Sequence, residues 1–339
     1  MESPTDNKEI LRMSSASLVS ILMPAYNAEK FISEAIHSIL KQDYSNWELL
    51  ILNDASTDRT AEIIAGIKDE RIKVYHHSTN LGYLLSCNEL FKKAEGEFIT
   101  FLDADDACPE NRLSLCLLEF QNNSELGFLT TNHQRISDSG SIISQNSVDV
   151  DYERYAKDSN YYPTICCATI FLRRSLLQKV GGYRDFFKDI GGEDYFWLWE
   201  LSKKGKGKHL NLKLYDYRQH QNQTSKNHRN ELSLFLPELF AGLKTELTNA
   251  QWDETTSFNV LKTVSDSFVS SPFELALRKA EIALNSSSSL FFTNAIRAFF
   301  NIRRLTQIKQ FGYLLYSYFF RMLRTQKLKF YPEKLQTPV

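Results

Sequence analysis

Gly96-Glu97-Phe98-Ile99-Thr100-Phe101-Leu102-Asp103-Ala104-Asp105-Asp106 is an apolar, β-rich run that passes without a break into three carboxylates. Residues 97–102 predict a buried strand, and the acids directly beyond it repel one another unless something positive lies between them. A hard divalent cation meets that need. Magnesium and manganese take oxygen ligands, usually one or two carboxylates with substrate phosphates completing the shell, so the cluster suits a nucleoside diphosphate. A solvated acidic turn, or a helix N-cap at Asp106 ahead of Pro109, is the plainer reading of the same tetrapeptide.

The residues before this stretch alternate strand and helix. Residues 18–23 form a short apolar run ending at Pro24, followed by a helical pattern of Phe31, Ala35, Ile36, Ile39 and Leu40. Residues 47–52 read as a second buried strand, 53–58 as a polar loop and 60–67 as a helix with Ala61, Ile64 and Ala65 inward. A strand at 71–76 and a helix at 84–93 complete the series. Such alternation implies a parallel sheet with right-handed crossovers, in which ligands bind beyond the carboxyl ends of the strands. The polar clusters 24–27, 53–58 and 103–106 should therefore converge. Beyond residue 126 the pattern is less regular, with strands near 128–132 and 168–173 and a helix over 194–203; from 232 onward only helices are expected.

The 339 residues are 42% hydrophobic, enough for a large core, which excludes a disordered chain. The net charge of -1 offers no general attraction to nucleic acid, so no nucleic-acid partner is expected. The five cysteines, Cys87, Cys108, Cys116, Cys166 and Cys167, are odd in number and lack Cys-x-x-Cys spacing. They read as free thiols in a reducing compartment. Residues 1–16 are polar and read as a loose leader, and no apolar run reaches the roughly 18–20 residues of a spanning helix. The expectation is a cytoplasmic protein, peripheral at the inner face of the membrane.

Four segments carry a further resemblance: residues 19–27 (VSILMPAYN), 53–60 (NDASTDRT), Asn80-Leu81-Gly82, and 96–106. Followed in order by Gly191-Gly192-Glu193-Asp194, they resemble the GT-A glycosyltransferases of the inverting family 2 over residues 17–227. The resemblance implies an α/β GT-A (Rossmann-like) fold: a mostly parallel sheet flanked by helices, with an α-helical C-terminal region. Residues 17–230 would be the catalytic domain, with a nucleotide-binding half at 17–107 and an acceptor half at 108–230, and 231–339 the helical region. It further implies that Pro24, Ala25, Tyr26 and Asn27, with Asp54, hold the donor base. Asp103, with Ala104 beside it, would contact the ribose, and Asp105 would ligate a manganese or magnesium ion bridging the diphosphate. Asp106 and Glu193 would support the site, and Asn88 would lie at the donor. In the tract 217–220, His220 would approach the metal and Arg218 the diphosphate. Asp194, at a helix start, would be the catalytic base, ionised without a raised pKa.

The activity implied is transfer of one sugar, with inversion, from a UDP-sugar to a hydroxyl of a glycan or lipid-linked glycan, in bacterial surface polysaccharide assembly. Two positions depart from the family pattern: Ala55 stands where glycine is usual, and Cys87 where a basic residue often precedes Asn88. The Gln-x-x-Arg-Trp motif of processive synthases is absent, which favours single-residue transfer. The alternative from another class is a non-catalytic nucleotide-sugar-binding scaffold. A dinucleotide-dependent oxidoreductase is disfavoured because the first loop lacks Gly-x-Gly-x-x-Gly.

Other features have plainer readings. Trp197 and Trp199 read as core, the Cys166-Cys167 pair as packing, residues 203–208 as a solvated turn, and His76-His77 as a strand end without a ligand role. Residues 290–330 carry Arg297, Arg303, Arg304, Lys309, Arg321, Arg324, Lys327 and Lys329 with no acid. Together with an aromatic helical face they suit an anionic membrane surface, or equally a hairpin packed on the catalytic domain.

Overall fold

Two strands that are buried along their whole length set the centre of the sheet: β1 (Val19–Ala25) and β2 (Trp47–Asn53). In the computed structural model, which describes residues 17–163, 165–188, 190–220, 236–247, 252–269 and 307, they pair in parallel from Val19 opposite Trp47 to Ala25 opposite Asn53. Burial on both faces is what a parallel strand under helices requires. Helix α1 (Ile32–Leu40) supplies one cover, turning Ile32, Ala35, Ile36 and Ile39 inward at helical spacing. Helix α2 (Thr60–Gly66) buries Thr60 and Ile64, while Ala65, expected inward, faces solvent.

The sheet grows outward through β3 (Ile72–His76) beside β2 and β4 (Phe98–Phe101) beside β1, both parallel. Helix α3 (Tyr83–Lys93) connects them. Gly96 admits the close approach of β4 to β1, since a Cβ there would lie 2.6 Å from the backbone nitrogen of Ser20. A charged residue sits inside β2: Glu48, 4% exposed, accepts from Ser20 Oγ at 2.5 Å, the Glu95 N–H at 2.9 Å and Lys73 Nζ at 2.8 Å. Burial opposes its ionisation, and these donors reverse the balance, holding its pKa below the usual carboxylate range.

After α4 (Arg112–Asn122) come β5 (Leu126–Ile136), β6 (Ile142–Gln145), α5 (Tyr152–Lys157), β7 (Phe171–Arg173), α6 (Arg174–Val180), α7 (Glu193–Lys204) and β8 (Lys206–Arg218). The eight described strands run β3-β2-β1-β4-β7-β5-β6, with β8 on β5. The sheet is thus mixed: β7 is antiparallel to both β4 and β5, and β6 to β5, while β8 is parallel to β5. The strand expected over 168–173 begins only at Phe171, because Cys167–Thr169 closes a 3₁₀ turn. The solvated turn expected at 203–208 is instead the end of α7 and the start of β8. Gly207 is needed there, since a Cβ would lie 2.3 Å from the Phe128 ring.

The chain divides into two compact units, Met1–Arg229 with Phe240–Glu254, and Asn230–Leu239 with Thr255–Val339. Residues 240–254 therefore group with the first unit. Two helices are described in this part of the chain, α8 (Leu236–Glu246) and α9 (Glu254–Val269). The basic and aromatic stretch 290–330 lies outside the described residues apart from Gln307. Among the described residues no helix is long and apolar enough to cross a membrane.

Candidate active site

Two antiparallel steps, β4 to β7 and β7 to β5, restore chain direction, so β5 and β8 end on the same side as β1, β2 and β4. The acidic loop after β4 and the tail of β8 meet there. Ala107 and Asp216 exchange backbone hydrogen bonds of 3.1 and 2.9 Å, and the Arg218 N–H donates to Asp106 Oδ1 at 2.7 Å. His220 Nε2 lies 2.8 Å from Asp105 Oδ2 and its ring packs on Phe31. Asp103 is oriented from two sides: Tyr83 Oη donates to its Oδ1 at 3.1 Å, and its own N–H donates to Tyr215 Oη at 3.2 Å. Burial, and then the charge of Asp105, raises the pKa of Asp103. Asp106 is 1% exposed and shifted upward by burial and then by Asp105 and Asp103. It is not the helix cap that its place before Pro109 suggests, since α4 is preceded by Asn111.

The residues present fit a hard divalent ion. Asp105 and His220 bring an oxygen and a nitrogen donor together, and Asp106 Oδ2 is buried without a hydrogen-bond partner among the described residues. No group of three or more His, Cys, Asp or Glu that could hold a metal gathers among the described residues. Magnesium and manganese do not demand such a cage when phosphate oxygens and water complete the shell.

Arg218, expected at the diphosphate, is fully buried and tied to the protein. Its Nε donates to the Asp105 carbonyl at 2.8 Å, its Nη1 to the carbonyls of Ser137 and Asp138 at 3.0 and 3.2 Å, and its Nη2 pairs with Glu34 at 2.7 Å. It therefore holds the acidic loop rather than presenting a free cation.

On the opposite flank, the ends of β1 and β2 are joined by the Asp54 N–H donating to the Ala25 carbonyl at 2.9 Å. Pro24 and Ala25 are buried in β1, Ala104 is buried in the acidic loop, Tyr26 is 51% exposed, and Asn27 accepts from the Thr57 N–H at 2.8 Å. Asn27 and Ala55 both take positive φ, 48° and 55°. The family's glycine preference at position 55 thus has a backbone cause. The Asp54 carboxylate is committed to the next turn, accepting the N–H groups of Leu81 at 2.9 Å and Gly82 at 2.8 Å and facing His77 at 2.6 Å. Asn88, expected at the donor, braces Tyr183 instead: its amide donates to the Tyr183 carbonyl and accepts the Tyr183 N–H, both at 2.8 Å. His77, read as having no ligand role, proves to lie between Asp54 and Glu89. Its partners are 23 and 12 residues away in sequence, and no local signal marks them.

The third flank is the start of α7. Gly191 and Gly192 both have φ of 82°, a left-handed pair that only glycine adopts readily, and they turn the chain so that Glu193 and Asp194 open the helix. Asp194 Oδ1 accepts the Tyr195 N–H at 2.7 Å, which favours its ionised form. Burial raises the pKa of Asp194 all the same, which corrects the expectation of an ordinary carboxylate. Glu193 is raised too, by burial and then by the charge of Asp194. The charge of Asp194 is felt at Asp103, so the acid clusters from β4 and α7 share one electrostatic environment. Trp197 and Trp199 are buried core residues, Trp197 donating from Nε1 to the Gly181 carbonyl at 2.8 Å.

Fold and site together define a GT-A glycosyltransferase. The family model for glycosyl transferase family 2 matches residues 20–181. The chain is 35% identical over 190 residues to the Escherichia coli UDP-Glc:alpha-D-GlcNAc-diphosphoundecaprenol beta-1,3-glucosyltransferase WfgD, covering 54% of this chain and 68% of that protein. It is 33% identical over 192 residues to WfaP, an E. coli glucosyltransferase of the same description, covering 55% of this chain and 71% of that one. The crystal structure of S. aureus TarS 1-349 in complex with UDP-GlcNAc shares the fold, with a TM-score of 0.56 at 19% identity over 88% of this chain and 80% of that one. The chain belongs to glycosyl transferase family 2.

Proposed function

We propose that the enzyme moves one sugar from a UDP-sugar to a hydroxyl of a lipid-diphosphate-linked glycan, with inversion, in assembly of a bacterial surface polysaccharide. The observation that carries this reading is the meeting of Asp103, Asp105 and His220 at the carboxyl ends of β4 and β8, with Asp194 close enough for its charge to be felt at Asp103. The substrates in the names of WfgD and WfaP favour a UDP-hexose donor and a polyprenyl-diphosphate acceptor.

Asp105 and His220 would hold the divalent cation, which when bound supplies positive charge to the departing diphosphate. Asp103, held by Tyr83 and Tyr215, would orient the ribose. Asp194 accepts the proton of the acceptor hydroxyl as that oxygen attacks the anomeric carbon. Its raised pKa suits the role, because a base is most effective when its pKa lies closer to the operating pH. A single displacement of this kind inverts the anomeric centre.

The test is release of nucleoside diphosphate from UDP-, GDP- and dTDP-sugars with manganese or magnesium, in the presence of a polyprenyl-diphosphate-linked sugar. Release from a UDP-sugar that disappears in excess chelator and in Asp105→Ala is expected. Full turnover in chelator would remove the metal from the mechanism, and silence with every donor would favour the binding scaffold.

A further inference from the structure

We propose that His77 is a positioning residue for the donor site: held between Asp54 and Glu89, it fixes the Asn80–Gly82 turn and the start of α3 against the ends of β1 and β2. The inference rests on the donor-site reading above. His77 directly follows β3, and its N–H donates to the Asn53 carbonyl at 3.0 Å. Its Nδ1 lies 2.6 Å from Asp54 Oδ1 and its Nε2 2.8 Å from Glu89 Oε2, with the side chain only 9% exposed.

A neutral imidazole has one donor and one acceptor nitrogen, so it would turn a lone pair toward one of these two carboxylates. The imidazolium donates to both. Burial opposes that charge, but the hydrogen bonds to Asp54 and Glu89 and their charges outweigh it and raise the His77 pKa. The other charged or titratable neighbours do not compete directly. Lys93 of α3 lies 3.4 Å from the far oxygen of Glu89 and over the Tyr75 ring, and His76 faces the Asn53 amide at 3.4 Å.

From Asp54 the contact runs on to the N–H groups of Leu81 and Gly82. Gly82, with φ of 92°, is the residue from which α3 departs, and the next residue, Tyr83, donates to Asp103. One chain of hydrogen bonds thus runs from Glu89 through His77 and Asp54 to the turn, and the turn leads directly to the tyrosine that orients Asp103. Without the imidazolium, Asp54 and Glu89 lose the cation between them, and the turn loses the group that fixes its acceptor. The effect falls on donor binding, because no atom of His77 reaches the acids that would hold metal, ribose or acceptor.

The experiment titrates the full-length chain with UDP-glucose, whose diphosphate does not change ionisation near neutrality, at saturating manganese between pH 6 and 9. Wild type, His77→Gln and Glu89→Gln are compared, and amide hydrogen exchange is read at Leu81 and Gly82. His77→Gln should weaken UDP-glucose binding roughly 10- to 100-fold, the scale of one lost charge-assisted hydrogen bond, raise the donor KM more than it lowers kcat, and speed exchange at both amides. Because the folded pKa is raised, wild-type affinity is held below it and lost as pH rises through it; Glu89→Gln should move that midpoint to lower pH. Unchanged exchange with unchanged affinity, or a basic limb that survives in His77→Gln, would overturn the assignment. If wild type bound no nucleotide sugar, the donor reading would fall while amide exchange still decided the role of His77. If His77→Gln failed to fold, the midpoint shift in Glu89→Gln would decide it.

Discussion

Replacing Arg218 by methionine separates a positioning role from contact with the diphosphate. The guanidinium is fully buried, donates to the carbonyls of Asp105, Ser137 and Asp138, and pairs with Glu34. Glu34 is half exposed, with 54% side-chain accessibility, so its carboxylate returns to water at little cost. The larger loss comes from the three carbonyls, part-buried acceptors that each cost toward the lower end of about 1–3 kcal/mol when left unsatisfied. Because neighbouring losses are not additive and methionine refills part of the volume, the sum should come to about 3–5 kcal/mol. For a domain of this size that corresponds to a drop in Tm of roughly 6–20 °C. Since one of those carbonyls belongs to Asp105, the manganese concentration for half-maximal UDP release should also rise, with excess metal restoring turnover. Thermal unfolding and a metal titration of UDP release read the two effects. A Tm within about 1 °C of wild type, with donor affinity lost and no rescue by metal, would refute the positioning role and return Arg218 to the diphosphate.

Two further outcomes follow from the backbone and from burial. Ala55→Gly should stabilise the fold by up to about 1 kcal/mol, because φ of 55° is strained for alanine and free for glycine, less what glycine gains in the unfolded chain; a lower denaturant midpoint in the variant would contradict this. His133 is held neutral by burial, and then by Arg135, with its pKa pushed down to about 4. Its folded pKa is depressed, so the stability it contributes is present above its unfolded value near 6.5 and is lost as pH falls toward 4. His133→Gln should flatten that part of the stability curve, and denaturation midpoints of variant and wild type that stay parallel across the window would argue against it.

The parallel half of the fold is legible in the sequence because its strands are buried on both faces and read as apolar runs interrupted only at Ser20 and Glu48, as 18–23 and 47–52 do. The second half is less so. In Lys206–Arg218 exposed lysines, with glycines at 205 and 207, imitate a turn, and only the Phe128 ring against Gly207 explains the glycine. The site divides in the same way. The acids at 103–106 and 193–194 announce themselves by clustering, whereas the tasks of Arg218, Asn88 and Asp54 depend on partners that sequence does not reveal. Arginine reads as an anion ligand until its burial and carbonyl partners are known. His77 reads as a strand end until Asp54 and Glu89 are seen at its two nitrogens. The ordinary pKa expected for Asp194 fails for a similar reason: a helix start favours the ionised form, and here burial outweighs it.

A single substitution decides whether Asp194 is the base. Asp194→Asn keeps the size of the side chain and an oxygen for the Tyr195 N–H, but removes basicity. Turnover is measured as UDP released with saturating donor, metal and lipid-linked acceptor, alongside donor affinity on the same preparation. Turnover should fall by roughly 10² to 10⁴, the range for loss of a general base, with donor affinity unchanged within about twofold. A rate near wild type would contradict it and leave Asp194 as a helix-start residue, while weakened donor binding would move it to the nucleotide site.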